Sequence, residues 1–83
     1  MGDTVLAIAH IVVNPEKHGG RPYIAGTDIT VQHIARADYS GWRIDEMRTG
    51  YDLTNGQVYA ALSYYYDHKA VIDRFPPLPE PDE

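Results

Sequence analysis

The sequence has 83 residues and a formal net charge of −5, from 12 acidic and 7 basic side chains, and it contains no cysteine. The lack of cysteine excludes disulfides, thiolate zinc sites and cysteine nucleophiles. A chain of this length is expected to fold as one domain. Its core is small, so its free energy of unfolding is expected to be low unless a partner buries additional apolar surface. A second copy is the simplest such partner, so we predict a homodimer.

The first nine residues predict neither a secretion signal nor a membrane anchor. Asp3 stands where a signal peptide requires positive charge, and the apolar run 5–9 is too short to cross a bilayer. We therefore expect residues 1–9 to be an N-terminal extension of a cytoplasmic protein that has no membrane partner.

A β-hairpin is predicted at the front of a domain that spans residues 10–74. The β-branched run 10–13 is followed closely by Pro15, which removes a ladder donor and ends the strand. Residues 17–20 end in two glycines that suit a chain reversal, and residues 21–24 can return as the second strand.

Two short helices are predicted after a turn at residues 26–28. Apolar residues at helical spacing indicate the first, which begins at Val31 and stops at Ser40. The second runs from Arg43 to about Thr49, with Gly50 as its C-terminal stop. The residues expected on their buried sides are Val31, Ile34, Ala35, Tyr39, Ile44 and Met47.

A third and longer helix has the clearest start signal in the chain. Thr54 and Gln57 have the spacing of a capping box, and one helix is predicted from there to Ile72. The pattern therefore predicts a mainly α fold, with a three-helix, helix-turn-helix core behind a short β-hairpin. The expected core stripe is Val58, Ala61, Leu62, Tyr65, the stem of Lys69 and Ile72, and the opposite side carries Asn55, Ser63, Tyr64 and Asp67.

Residues 75–83 form the predicted tail. Four of these nine residues are proline and three are acidic, so the segment cannot be helical and should be extended, largely as polyproline II.

Nothing in the sequence indicates catalysis. No two of the four histidines, at positions 10, 18, 33 and 68, have the spacing of metal ligands on one helix face. The glycines match no phosphate-binding loop, and neither Ser40 nor Ser63 lies in a nucleophile motif. We therefore expect no enzyme activity, no metal, no cofactor and no small-molecule substrate.

The helix-turn-helix pattern makes DNA binding a candidate function, although any small three-helix domain shows a similar pattern. Polar side chains on the first turn of the third helix can reach base edges, and arginines nearby can contact phosphates. The net charge of −5 and the lack of Arg or Lys in the third helix before Lys69 weigh against strong binding. The candidate DNA-binding residues are Arg36, Arg43, Arg48, Thr54, Asn55 and Gln57.

Protein binding is indicated by the three consecutive tyrosines 64–66 and by the start of the tail. Consecutive helix positions fan around the circumference, so at least one of these rings should meet solvent or a partner; packing within one chain explains them equally well. Base stacking on RNA is less favoured on an acidic helix. The candidate partner-binding residues are Tyr64, Tyr66, Arg74, Phe75 and Leu78.

Several blocks of the sequence carry a resemblance to a known family, and they lie at residues 10–15, 20–27, 29–31, 53–54, 57–68 and 72–73. In these blocks the chain resembles the family called domain of unknown function 433, often described as VapB-like antitoxins. This resemblance implies a homeodomain-like helix-turn-helix that binds its own operator as a dimer and sequesters a PIN-like ribonuclease toxin encoded beside it. Asp28 departs from the arginine usual in the family, and Asn55-Gly56 replaces a more apolar pair.

Two hypotheses result. The first is an antitoxin that regulates its own transcription by binding operator DNA and that sequesters the toxin. The second is a protein-interaction module of the same fold without appreciable DNA binding.

Overall fold

A computed structural model describes residues 10–76 as a mainly helical domain with a two-stranded antiparallel sheet near its N-terminus. This confirms the predicted fold class of a helical core behind a hairpin. No helix in the described part of the chain is long and apolar enough to cross a membrane. The elements are β1 (Ile11–Val12), β2 (Tyr23–Ile24), α1 (Val31–Tyr39), α2 (Ile44–Tyr51), α3 (Asn55–Asp67) and α4 (Lys69–Asp73), with a single 3-10 turn at His18–Gly20 between the strands.

The hairpin is shorter than the sequence predicts. Its antiparallel register places Ile11 opposite Ile24, and the pairing covers two residues on each strand instead of four. Pro22 has no N–H to donate, which limits the ladder on the returning strand. The reversal uses Gly19 and Gly20, which both have positive φ, as predicted.

The buried face of α1 includes different residues from those predicted. Val31, Ile34 and Ala37 are buried, whereas Tyr39, expected on this face, is 93 % exposed. Because a helix turns by about 100° per residue, Tyr39 lies about 140° around the axis from Ile34 and cannot share its face. Tyr39 is therefore a surface residue, and Ala37 takes the place expected for it.

The end of α2 also differs from the prediction. Gly50 lies inside the helix, and the chain leaves the helix at Asp52, which adopts the left-handed conformation with φ 58° and ψ 52°. Aspartate tolerates this conformation better than most residues, so a glycine is not required for the stop. Met47 is fully buried and Ile44 is half-buried, as predicted.

The predicted third helix is two helices. α3 ends at Asp67, His68 departs from helical geometry with φ −132° and ψ 35°, and α4 begins at Lys69. The imidazole of His68 stacks on the Tyr64 ring with 4.2 Å between centroids, and its Nδ1 lies 3.0 Å from the Tyr64 carbonyl oxygen. The break redirects the chain so that Ile72, near the end of α4, is buried in the core.

The hydrophobic core joins the hairpin to all four helices. Most of its side chains are aliphatic, and Leu62, Tyr64 and Tyr65 pack around it partly buried. The half-burial of Tyr64 corrects the prediction that it faces away from the core. The buried members are Ile11, Ile24, Val31, Ile34, Ala37, Met47, Leu53, Val58, Ala60, Ala61 and Ile72.

Arg21 ties the hairpin, α1 and the C-terminal end of the domain together. Its guanidinium donates to Gln32 Oε1 at 2.8 Å, to the His18 carbonyl at 3.1 Å and to the Pro76 carbonyl at 2.9 Å. The group also lies over the Phe75 ring, 5.5 Å from its centroid. The first two residues of the predicted tail are thus held against the domain.

α1 begins at a capping box formed by Thr30 and His33. Thr30 Oγ1 accepts the His33 backbone N–H at 3.0 Å, and His33 Nδ1 accepts the Thr30 backbone N–H at 2.9 Å. The second hydrogen bond requires an unprotonated Nδ1. Burial, followed by the charges of Arg36, His18 and Arg21, lowers the pKa of His33 from its ordinary 6.5.

We predict that this capping box makes stability depend on pH. The unfolded chain takes up the His33 proton near pH 6.5 and the folded chain only at lower pH, so the stabilisation is complete above pH 6.5 and is lost as pH falls from there to the folded pKa. The variant His33→Gln keeps an acceptor for Thr30 but takes up no proton. Urea unfolding at about pH 7.5 and about pH 5.5 should show a smaller pH dependence for this variant. Equal dependence in the two proteins would contradict the assignment.

Candidate functional site

A shallow surface depression of about 570 Å³ lies where the end of α1, α2 and the start of α3 meet. We call it the α2–α3 depression. It brings together three of the six predicted DNA-binding residues, Arg43, Arg48 and Asn55. Its full lining is Asp38, Trp42, Arg43, Ile44, Asp45, Arg48, Asn55 and Tyr59.

The two arginines come from opposite ends of α2. Arg43 precedes the first residue of the helix, where its backbone N–H donates to Glu46 Oε1 at 2.7 Å, and its guanidinium Nε lies 3.9 Å from Asp45 Oδ1. Arg48 is exposed in the last turn. The Arg43–Asp45 ion pair is solvent-exposed and therefore weak, so the guanidinium can exchange this carboxylate for another anion.

Thr54 and Gln57 form the predicted capping box at the start of α3. The Thr54 backbone N–H donates to Gln57 Oε1 at 2.8 Å, and the Gln57 backbone N–H donates to Thr54 Oγ1 at 3.1 Å. These contacts use one acceptor on each side chain. The Gln57 amide NH₂ and the Thr54 hydroxyl proton are left to donate elsewhere, beside the exposed Asn55.

Arg36, the remaining predicted DNA-binding residue, lies in a different place. It lines a groove of about 550 Å³ between α1 and α4, which we call the α1–α4 groove. The sequence-predicted set is therefore divided between two surfaces. The lining of the groove is Gln32, Ala35, Arg36, Tyr39, Tyr65, Lys69, Ile72, Asp73 and Phe75.

The predicted partner-binding residues are divided as well. Tyr66 is 57 % exposed, and its hydroxyl donates to Asp38 Oδ2 at 2.6 Å. Tyr64 is half-buried against the core, Arg74 is exposed, and Phe75 lines the α1–α4 groove. Leu78 lies outside the described residues.

Two aromatic side chains of the depression were not predicted as site residues. Trp42 is partly exposed and stacks on Tyr51, with 5.6 Å between ring centroids, and Tyr59 is 58 % exposed. The place of Tyr59 at this site could have been predicted from the sequence, because Tyr59 follows Asn55 by four residues and therefore lies on the same face of the helix. Trp42 lies in the loop between α1 and α2, where no periodicity applies.

The electrostatics of the depression are balanced. Asp38 and Asp45 offset the charges of the two arginines within the same lining. The hydrogen bond from Tyr66 to Asp38, together with the negative charge of that carboxylate, raises the pKa of Tyr66. A ligand with both polar and aromatic groups suits this surface as well as a purely anionic one does.

Metal binding gains no support from the geometry. Within residues 10–76 no three His, Asp or Glu side chains are grouped closely enough to hold a metal ion.

A family whose description is "Protein of unknown function (DUF433)" matches residues 11–65, from β1 to within α3. No curated protein and no solved structure matches the chain.

We predict that Gly50 sets the position of the Trp42 ring at the edge of the depression. A Cβ at Gly50 would lie 2.9 Å from the indole Cζ3, so Gly50→Ala must displace the ring. Tryptophan emission should shift, because Trp42 is the single tryptophan of the chain. Gly56→Ala is the matched control: the nearest atoms to its Cβ lie 3.9 Å away, at ordinary contact distance, so emission should stay unchanged and stability should rise by up to about 1 kcal/mol. Unchanged emission in Gly50→Ala would contradict the stacking geometry.

Proposed function

We propose that this chain, which belongs to the DUF433 family, is a helix-turn-helix regulator that binds operator DNA and acts as the antitoxin of a type II toxin–antitoxin pair. The observation that carries the proposal is the exposed, capped first turn of α3 beside two arginines of α2. A major groove admits one α-helix, whose N-terminal side chains then reach the base edges.

The connection between α2 and α3 supports this docking. The left-handed Asp52 turns the chain within three residues, so that α3 begins directly beside α2. In the proposed complex Asn55 and the free amide group of Gln57 contact base edges, and Tyr59 lies one turn further along the same face. Arg43 and Arg48 contact phosphates.

The proposal leaves Arg36 out of the DNA contacts. This residue lines the α1–α4 groove and does not line the depression beside the first turn of α3. Two protein copies would place their α3 helices in half-sites about 34 Å apart, one turn of B-DNA.

The partner of this antitoxin is proposed to be a PIN-like ribonuclease. The support is the family resemblance, together with the exposed Tyr66 on α3, since interfaces between proteins are enriched in aromatic side chains.

We predict salt-dependent binding to DNA from the promoter of the chain's own operon. Fluorescence anisotropy over a series of salt concentrations should give a linear plot of log K against log salt, since each neutralised phosphate releases counterions. Arg43→Ala with Arg48→Ala should reduce the slope by about 1.8, or about 0.9 for each arginine. Asn55→Ala should weaken specific binding about tenfold or more and leave the slope unchanged.

Lys17→Ala is the control, because it removes one exposed cation that lies in neither the α2–α3 depression nor the α1–α4 groove, and it should leave both affinity and slope as they are. Absence of binding at low salt would refute DNA recognition. An effect of Lys17→Ala equal to that of Arg43→Ala would refute the assignment of the surface.

A protein-interaction module without DNA affinity is the second candidate function. The specific observation in its favour is that Asp38 and Asp45 cancel the arginine charges in the depression, while Trp42 and Tyr59 expose aromatic surface there. Interfaces between proteins are enriched in such aromatic anchors.

Co-expression with the product of the neighbouring gene separates the two functions. The antitoxin hypothesis predicts a stable complex and promoter binding by the same preparation. A stable complex that fails to bind the promoter at low salt would favour the interaction module. If the two proteins do not co-purify, the proposed toxin partnership is wrong.

A further inference from the structure

The α1–α4 groove takes no part in the DNA contacts proposed above, yet three aromatic rings line it. Tyr39 is almost fully exposed, and Tyr65 and Phe75 are half-buried. Aromatic surface of this extent is unfavourable in water and is typical of a binding groove. Grooves lined by aromatic rings bind proline-rich segments, because the polyproline II helix is already extended and loses little entropy on docking.

The charges of the groove select an acidic occupant. Arg36 on α1 and Lys69 on α4 both line it, and the Lys69 ammonium lies 5.9 Å from the centroid of the Tyr65 ring. Asp73 is the one carboxylate among the lining residues, and it accepts a hydrogen bond from the Tyr65 hydroxyl at 3.1 Å. The lining thus carries a net charge of +1.

The chain itself supplies a segment with the matching chemistry. Residues 77–83 follow Pro76 with three prolines, one leucine and three carboxylates. At about 3.1 Å per residue an extended segment of this length spans about 22 Å, whereas the part of α1 that lines the groove, from Gln32 to Tyr39, is about 10 Å long. The segment is long enough to place an apolar residue and several carboxylates along the groove.

The point where the chain leaves the domain indicates which copy is bound. The Pro76 carbonyl is held by Gln32 Nε2 at 3.0 Å and by Arg21 at 2.9 Å, at the end of the groove where α1 begins. Prolines at 77, 79 and 81 disfavour helical conformations in the residues before them, which favours an extended segment over one that folds back into its own groove. A segment that leads away from one copy can enter the equivalent groove of another.

We propose that residues 77–83 of each chain dock in the α1–α4 groove of a second copy, so that two chains form a two-fold symmetric dimer by reciprocal exchange of their C-terminal segments. Arg36 and Lys69 bind the carboxylates, and the rings of Tyr39, Tyr65 and Phe75 contact the prolines and Leu78. Each interface is used twice, as two-fold symmetry requires. The proposed function requires two copies on DNA but not this way of pairing them, and the test of the exchange contains no DNA, so failure of one does not imply failure of the other.

Charge reversal in full-length chains tests the exchange. Sedimentation equilibrium should show a wild-type dimer, and Arg36→Glu with Lys69→Glu should raise its dissociation constant at least about tenfold. Reversal of the tail, by Glu80→Lys, Asp82→Lys and Glu83→Lys, should do the same. Mixing the two variants should restore a one-to-one dimer, since each groove then meets a tail of opposite charge.

The control is Arg43→Glu with Arg48→Glu, which makes the same change of charge on the α2–α3 depression and should leave the dimer intact. Circular dichroism checks that every variant is folded. As a second measurement, an excess of a synthetic peptide of residues 77–83 should dissociate the wild-type dimer.

Three results would overturn the proposal. A monomeric wild-type chain would exclude the exchange, including the case in which the segment binds its own groove. A dimer that survives both reversals must use another surface. Two reversed variants that stay monomeric when mixed and folded would show that charge pairing between tail and groove does not hold the dimer together.

Discussion

The structure depends on the packing of α1 across α3, because every other element is anchored to that pair. Ile34 of α1 and Val58 of α3 are fully buried there, and the hairpin, α2 and α4 add one or two buried residues each to the same core. Because the chain is short, its aliphatic core buries little apolar surface and stabilises the folded state only marginally. The same packing restricts the exposed part of α3 to a stripe that includes Asn55, Tyr59 and Tyr66, which leaves this side available to a partner.

The two surface sites arise from two interruptions of helical structure. The left-handed Asp52 places α3 beside α2 and so creates the α2–α3 depression. The break at His68 sets the direction of α4, whose residues line the α1–α4 groove together with residues of α1. Their chemistries differ, because the depression balances two arginines with two carboxylates, whereas the groove has an excess of one cation and more aromatic surface. This difference supports the proposed division between nucleic-acid binding at the depression and self-association at the groove.

Most of the fold could be predicted from the sequence, because the signals that define it are local. The capping box of Thr54 and Gln57 and the two turn glycines of the hairpin are set by neighbouring residues. The break at His68 was missed, since it depends on a stacking contact with Tyr64 that no periodicity encodes. The site was predicted in part, because three of its polar residues could be identified from the sequence. The separation of Arg36 from them could not be predicted, because it depends on the relative orientation of α1 and α2, and residue spacing does not determine that orientation.

The two surfaces also differ in whether their residues lie within the range that the family matches. The depression is lined by residues between 38 and 59, all within the matched range 11–65, so every part of it belongs to the family's common domain. The α1–α4 groove depends on Lys69, Asp73 and Phe75, and its proposed occupant begins at residue 77, all beyond that range. The proposed recognition surface therefore lies wholly within the matched domain. The proposed exchange of tails depends on α4 and on segment 77–83, and so on residues beyond that domain.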